Sequence, residues 1–173
     1  MLCFMQSDLV LSRWNEAKLE RCAFLECPMQ LSNLAQVNME KCQFSGKTGM
    51  DNSQFSMAQL SQCGLRRISA QHISAQKTVF DQCDMGDSQY QFGDFAGAQF
   101  IQSVMSDSNF EFSNFTSASF YKSLMRKTLL TQCELKNSNF LDADATLTNT
   151  LDSNFKDAMN VAPLLKRRWK NAK

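Results

Sequence analysis

The residues of this chain best equipped for chemistry are its cysteines, its one histidine and a glycine–lysine–threonine triplet. Six of the seven cysteines recur at related spacings, and Cys22, Cys42, Cys63 and Cys83 fall 20 or 21 residues apart. Such a ladder would serve either as a soft-metal or redox site or as packing, because an unreactive thiol behaves as a small buried hydrophobe. Packing is favoured: no Cys-x-x-Cys pair occurs and the only histidine, His72, is remote in sequence from most of the thiols. Gly46-Lys47-Thr48 has the ending of a phosphate-binding loop. That motif needs a glycine five residues before its second glycine, and Lys41 stands there. A short bulge is the simpler reading. His72 has no serine or cysteine arrangement that would make it a catalytic base. No catalytic residue, cofactor or metal is expected.

Carboxylates form the remaining candidate. Residues 78–121 carry Asp81, Asp84, Asp87, Asp94, Asp107 and Glu111 and no lysine or arginine, although the whole chain has a formal charge of +1. An ordinary solvated face is one explanation. The other is a partner surface on which spaced carboxylates imitate the phosphates of duplex DNA and so occupy a basic groove.

The elements that position these groups follow from the repeat period. Starting at Phe4, every fifth residue to Phe44 is large and apolar; after one extra residue near Gly46–Gly49 the series resumes at Met50 and continues to Phe155, giving 31 centres. Two residues before each centre stands a small one, as in Ser7, Cys22, Ala58, Ser103 and Thr128. The triplet Ser-Asn-Phe recurs at 108–110, 113–115, 138–140 and 153–155. A helix of 3.6 residues per turn would rotate this pattern around its surface, and a strand would alternate with period two. Period five instead fits a turn-rich coil around an axis. Two centres, Ala70 and Ala75, are small, and there the paired positions are Ile68 and Ile73. Large and small have exchanged places with volume roughly kept.

The pattern small–polar–Leu/Phe–polar–variable, over residues 2 to about 158, resembles the pentapeptide-repeat family. The resemblance implies an all-β, right-handed quadrilateral β-helix in which four repeats make one coil and residues twenty apart stack. It implies nearly eight coils and, at about 4.8 Å per coil, a rod about 37 Å long. It also implies a non-catalytic, protein-binding role. Family members similar to this chain bind DNA gyrase or topoisomerase IV and protect against quinolones or a gyrase toxin. A secreted effector, or a structural solenoid with another protein partner, is the alternative. Direct nucleic-acid binding is not expected.

Two segments are expected: a repeat domain at 1–158 with a register shift near 45–49, and a capping helix with a basic tail at 159–173. Pro163, Leu164, Leu165 and Trp169 suit a short helix, and the cations from Lys166 onward suit its C-terminal end. Leu164, Leu165 and Trp169 are candidates for self-association into a homodimer through that end, as the family resemblance implies. At the other end, repeats start at once with Leu2-Cys3-Phe4, so that end is expected to meet a partner or a further portion of chain. No apolar run approaches the ~20 residues of a membrane span, and the first residues lack a signal-peptide pattern. A cytoplasmic location is expected, or export without a cleaved signal.

Overall fold

A computed structural model describes residues 2–46 and 48–161. Every described element is extended or turn, and no helix occurs among the described residues. The chain forms an all-strand β-solenoid built from parallel pairing at a fixed offset. On one side, β1 (Cys3–Met5), β3 (Ala23–Leu25) and β5 (Gln43–Ser45) pair in that order. On another, β2 (Lys18–Glu20), β4 (Asn38–Glu40), β6 (Gln59–Ser61), β7 (Val79–Asp81) and β8 (Gln99–Ile101) do the same. Single parallel bridges extend the ladder on all sides, ending at Asn139 with Met159.

The register is 20 residues per coil, as in Phe80 opposite Phe100. It becomes 21 across the insertion, as in Met39 opposite Leu60. Gly46 keeps its place in the turn series with φ +70. Thr48 is buried, and its hydroxyl donates to the Ser45 carbonyl and accepts from the Cys27 N–H. The Gly-Lys-Thr triplet therefore marks a register adjustment, with its threonine turned into the wall.

Each side carries five residues with separable tasks. The centre fills the interior: Phe24, Phe55, Phe95, Phe100, Phe110, Phe115 and Phe120 are fully buried. Like stacks on like, with near-parallel ring pairs at 5.1 Å for Phe80–Phe100 and Phe95–Phe115 and at 4.8 Å for Tyr90–Phe110. The small residue does more than yield space. Its hydroxyl or thiol donates to the centre carbonyl one coil below, as Ser88 does to Leu65, Ser103 to Phe80 and Cys83 to Leu60. A buried carbonyl is thereby satisfied where no water reaches. The residue before the centre caps the turn: Asn109 and Asn114 accept from the N–H two residues on, an Asx turn. Ser-Asn-Phe thus supplies an inter-coil donor, a turn cap and a core ring.

After many centres the chain bends through a four-residue turn closed by bonds such as Ser12 N–H to Leu9 O, and after strand centres such as Phe80 and Phe100 it bends at Gln82 and Gln102. The third turn residue is left-handed, and this recurs every five residues. Among the described residues, thirty non-glycine residues have positive φ, all but Asn160 in this series. For L-residues this conformation costs about 1–2 kcal/mol each, so the stacked backbone and packed interior must hold it in place.

Ile68 and Ile73 are buried beside fully buried Ala70 and Ala75, in keeping with the exchange of volumes. Ile68→Ser alone is expected to leave a cavity, and Ala70→Leu alone to overpack by about 1–3 kcal/mol. Together they restore the ordinary pattern. The double variant is expected to be more stable than the sum of the single losses by about 0.5–3 kcal/mol, measured by urea unfolding.

Candidate interaction surfaces

The cysteine ladder is interior. Cys22, Cys27, Cys42, Cys63, Cys83 and Cys133 are buried and Cys3 is exposed; none is in a disulfide. Cys42, Cys63 and Cys83 donate to the carbonyls of Leu19, Met39 and Leu60. The bond with Cys63, followed by burial, pushes the Cys42 thiol well up. Cys63 is pulled down by its bond with Cys42, but its bond with Cys83 and burial outweigh this and push it up to about 12. Burial, with the Glu111 carboxylate adding to it, pushes Cys133 up to about 12. These thiols are protonated at neutral pH and are poor nucleophiles and poor ligands. Under native conditions, Cys3 is expected to react with a maleimide at once and the buried six only as the chain unfolds. Because the native values lie above the ordinary 9.0, the unfolded state ionises first. Stability is then whole below pH 9 and falls as pH rises from 9 towards 12. A melting-temperature series over that range checks this.

The acidic stretch is not one patch. With 20 residues per coil, a stretch of 31 residues wraps one and a half times around the axis. Asp81 lies beside the centre Phe80, Asp84 and Asp87 flank Met85, Asp94 precedes Phe95, Asp107 follows Met105, and Glu111 follows Phe110. These centres belong to all four sides. Asp87 and Asp107 do share a column with Arg67 and Lys127. Arg66 approaches Asp87 at 2.6 Å and Asp84 at 3.6 Å, and Arg67 lies 3.7 Å from Asp87. The Asp87 carboxylate, with Asp84 beyond it, raises the Arg66 guanidinium still further. Asp84 and Asp94 also cap their own turns. The winding therefore spreads the six acids over four sides and pairs two of them, Asp84 and Asp87, with arginine, while Asp81, Asp94, Asp107 and Glu111 form no ion pair among the described residues.

Counting by side gives a different picture. All 17 Asp and Glu and 12 of the 18 Lys and Arg lie among the described residues, in a chain whose net charge is +1. The other six cations are Lys47 and the five from Lys166 to Lys173, outside the described residues. Three sides are close to balance. The side with centres Met29, Met50, Ala70, Tyr90, Phe110 and Leu130 carries Asp8, Asp51, Glu111 and Asp152 and no lysine or arginine among the described residues. Its trailing corner holds His72, Phe92 and Phe112 in a stack with ring separations of 4.9 and 5.0 Å. Sequence reading missed this side, since its members recur every twenty residues and are never neighbours in the chain.

One open hollow of about 660 Å³ lies beside the insertion, bordered by Gln43, Gly64, Arg66, Gln82 and Asp84. Its arginine is already committed to Asp84 and Asp87. Among the described residues, no group of three or more histidine, cysteine or acidic side chains is placed to hold a metal ion, and no helix is long and apolar enough to cross a membrane. Of the capping helix expected at 159–173, residues 159–161 are not helical, because Met159 continues the ladder by bridging to Asn139; the rest, with the candidate self-association residues Leu164, Leu165 and Trp169, lies outside the described residues.

Residues 94–132 match a family model described as pentapeptide repeats, in eight copies. No curated protein matches the sequence. Among solved structures the chain is similar to HetL, a pentapeptide repeat protein involved in heterocyst differentiation regulation from the cyanobacterium Nostoc, at 16% identity and TM-score 0.49 over 90% of this chain and 73% of that one. It is similar to Rfr23, a pentapeptide repeat protein from the cyanobacterium Cyanothece, at 9% identity and TM-score 0.49 over 56% and 63%. It is also similar to trypsin-treated QnrB1, a plasmid-mediated fluoroquinolone resistance protein, at 16% identity and TM-score 0.45 over 99% and 97%. Residues 94–132 are pentapeptide repeats, eight in number, and the same five-residue architecture continues on either side of them.

Proposed function

We propose that this chain is a non-catalytic binding protein, a right-handed rod of nearly eight coils whose acidic surface receives the basic groove of a client protein. Family resemblance nominates DNA gyrase or topoisomerase IV as that client, with protection against quinolones or a gyrase toxin as the outcome. The observation that carries the reading is the side of the solenoid that bears Asp8, Asp51, Glu111 and Asp152 and no lysine or arginine among the described residues. Carboxylates grouped on one side favour a basic surface as the client. The interior is filled and hydrogen-bonded, so recognition falls to the outer residues. In a supercoiling assay, the purified chain at micromolar concentration is expected to alter gyrase activity or reduce quinolone-induced cleavage. An unchanged assay for both gyrase and topoisomerase IV would remove these enzymes as clients.

A further inference from the structure

The cation-free side has a second property that neither the turns nor the core explain. Phe92 and Phe112 occupy the left-handed turn position, with φ of 60 and 62. Glycine or asparagine suits that position best, and a bulky side chain suits it poorly. Both rings point away from the interior, at 49% and 48% exposure. Leu31 in the same corner column and Leu151 on the same side are also exposed. Stacked rings whose edges face solvent beside carboxylates make a surface of mixed character, apolar along the corner and negative on the flat. The preceding corner column is mixed, with Arg67, Asp87, Asp107 and Lys127.

We propose that this side is the docking surface of the rod, and that its occupant is a basic segment of a client protein carrying aromatic or aliphatic side chains. Charge complementarity selects that occupant over an acidic or neutral one: Asp8, Asp51, Glu111 and Asp152 lie on this side without a lysine or arginine among its described residues. The apolar anchors are Phe92 and Phe112, which hold each other in register, so little side-chain freedom is lost on binding. The inference rests on the reading of the chain as a binding protein for a basic client, and it assigns the side and the chemistry of contact.

The test uses the full chain and a synthetic peptide probe, three repeats of Lys-Leu-Lys-Trp, with a control in which serine replaces leucine and tryptophan. Fluorescence anisotropy is expected to show saturable binding of the probe, weaker binding of the control, and weakening as salt rises. Phe92→Ser with Phe112→Ser is expected to weaken the probe at least tenfold, and Glu111→Gln with Asp152→Asn several-fold. Glu20→Gln with Glu40→Gln, an equal neutralisation on another side, is expected to leave it within twofold. Circular dichroism melting of each variant guards against misfolding, and Phe92→Tyr is expected to retain binding. Equal loss from both charge pairs, or no loss from the phenylalanine pair in a folded variant, would overturn the proposal. So would concentration-dependent dimerisation abolished by the same pair, which would seat a second copy there. Carbodiimide coupling of the chain's own Lys166, Lys170 or Lys173 to Glu111 would give the side to its own tail and also overturn it. Failure to bind gyrase with the probe results intact would reject the named client alone.

Discussion

Replacing Phe100 by alanine is expected to lower stability by about 3–5 kcal/mol, the range for truncating a fully buried phenylalanine. Its ring has no exposure and lies between Phe80 at 5.1 Å and Phe120 at 5.4 Å, with Phe95 and Phe115 tilted against it at 5.8 and 5.9 Å. The wall around it is held by coil-to-coil hydrogen bonds, including Phe100 N–H to Ser119 O, and cannot collapse to fill the void. In a solenoid each coil is stabilised chiefly by its neighbours. A cavity in a middle coil therefore weakens the coupling between the two halves as well as total stability. The urea transition is expected to shift to lower concentration and to broaden. An unshifted midpoint would mean that the ring is not in the core.

A deletion within the repeat is expected to cost at least as much. Removing Ser117, a turn residue with φ +59, cuts the spacing from Phe115 to Phe120 from five residues to four. If the ladder keeps its register, Tyr121, Arg126, Thr131 and Lys136 move into centre positions now held by Phe120, Met125, Leu130 and Leu135. Burying an arginine and a lysine without partners is prohibitive. If the chain slips to regain register, one side must close with four residues and lose its turn bond. Either route costs several kcal/mol against the usual 5–15 kcal/mol of native stability. Removing Lys47 has the opposite logic. The spacing from Phe44 to Met50 falls from six residues to five, and the change is expected to stay within about 1 kcal/mol. The two deletions, compared by thermal melting, separate a true five-residue architecture from a general intolerance to shortening.

Much of this architecture is legible in the sequence because one rule acts at every fifth position. The centre series, the exchange at Ile68, Ala70, Ile73 and Ala75, and the stacking of Phe80, Phe100, Phe120 and Phe140 all follow from it. The donor role of the small residue was less plain. Serine, threonine and cysteine outnumber alanine there, a signal of hydrogen bonding that size alone conceals. The left-handed turn residue left no trace, since Phe92, His72, Lys77 and Leu147 share no chemistry; the stacked backbone imposes that conformation from outside the local sequence. The candidate surface misled for a geometric reason. Asp81, Asp84 and Asp87 are near neighbours in the chain, yet a bend lies between Asp81 and Asp84. The cation-free side is visible only when residues are grouped by twenties.

Direct titration of the purified full-length chain against purified gyrase and topoisomerase IV subunits, by calorimetry at 50 and 300 mM salt, tests the central claim. A basic groove closing on an acidic rod predicts saturable binding at micromolar concentration or tighter. It also predicts clear weakening at the higher salt, where exposed charges more than about 6 Å apart are screened. No heat and no saturation with any subunit at 50 mM salt would contradict the account.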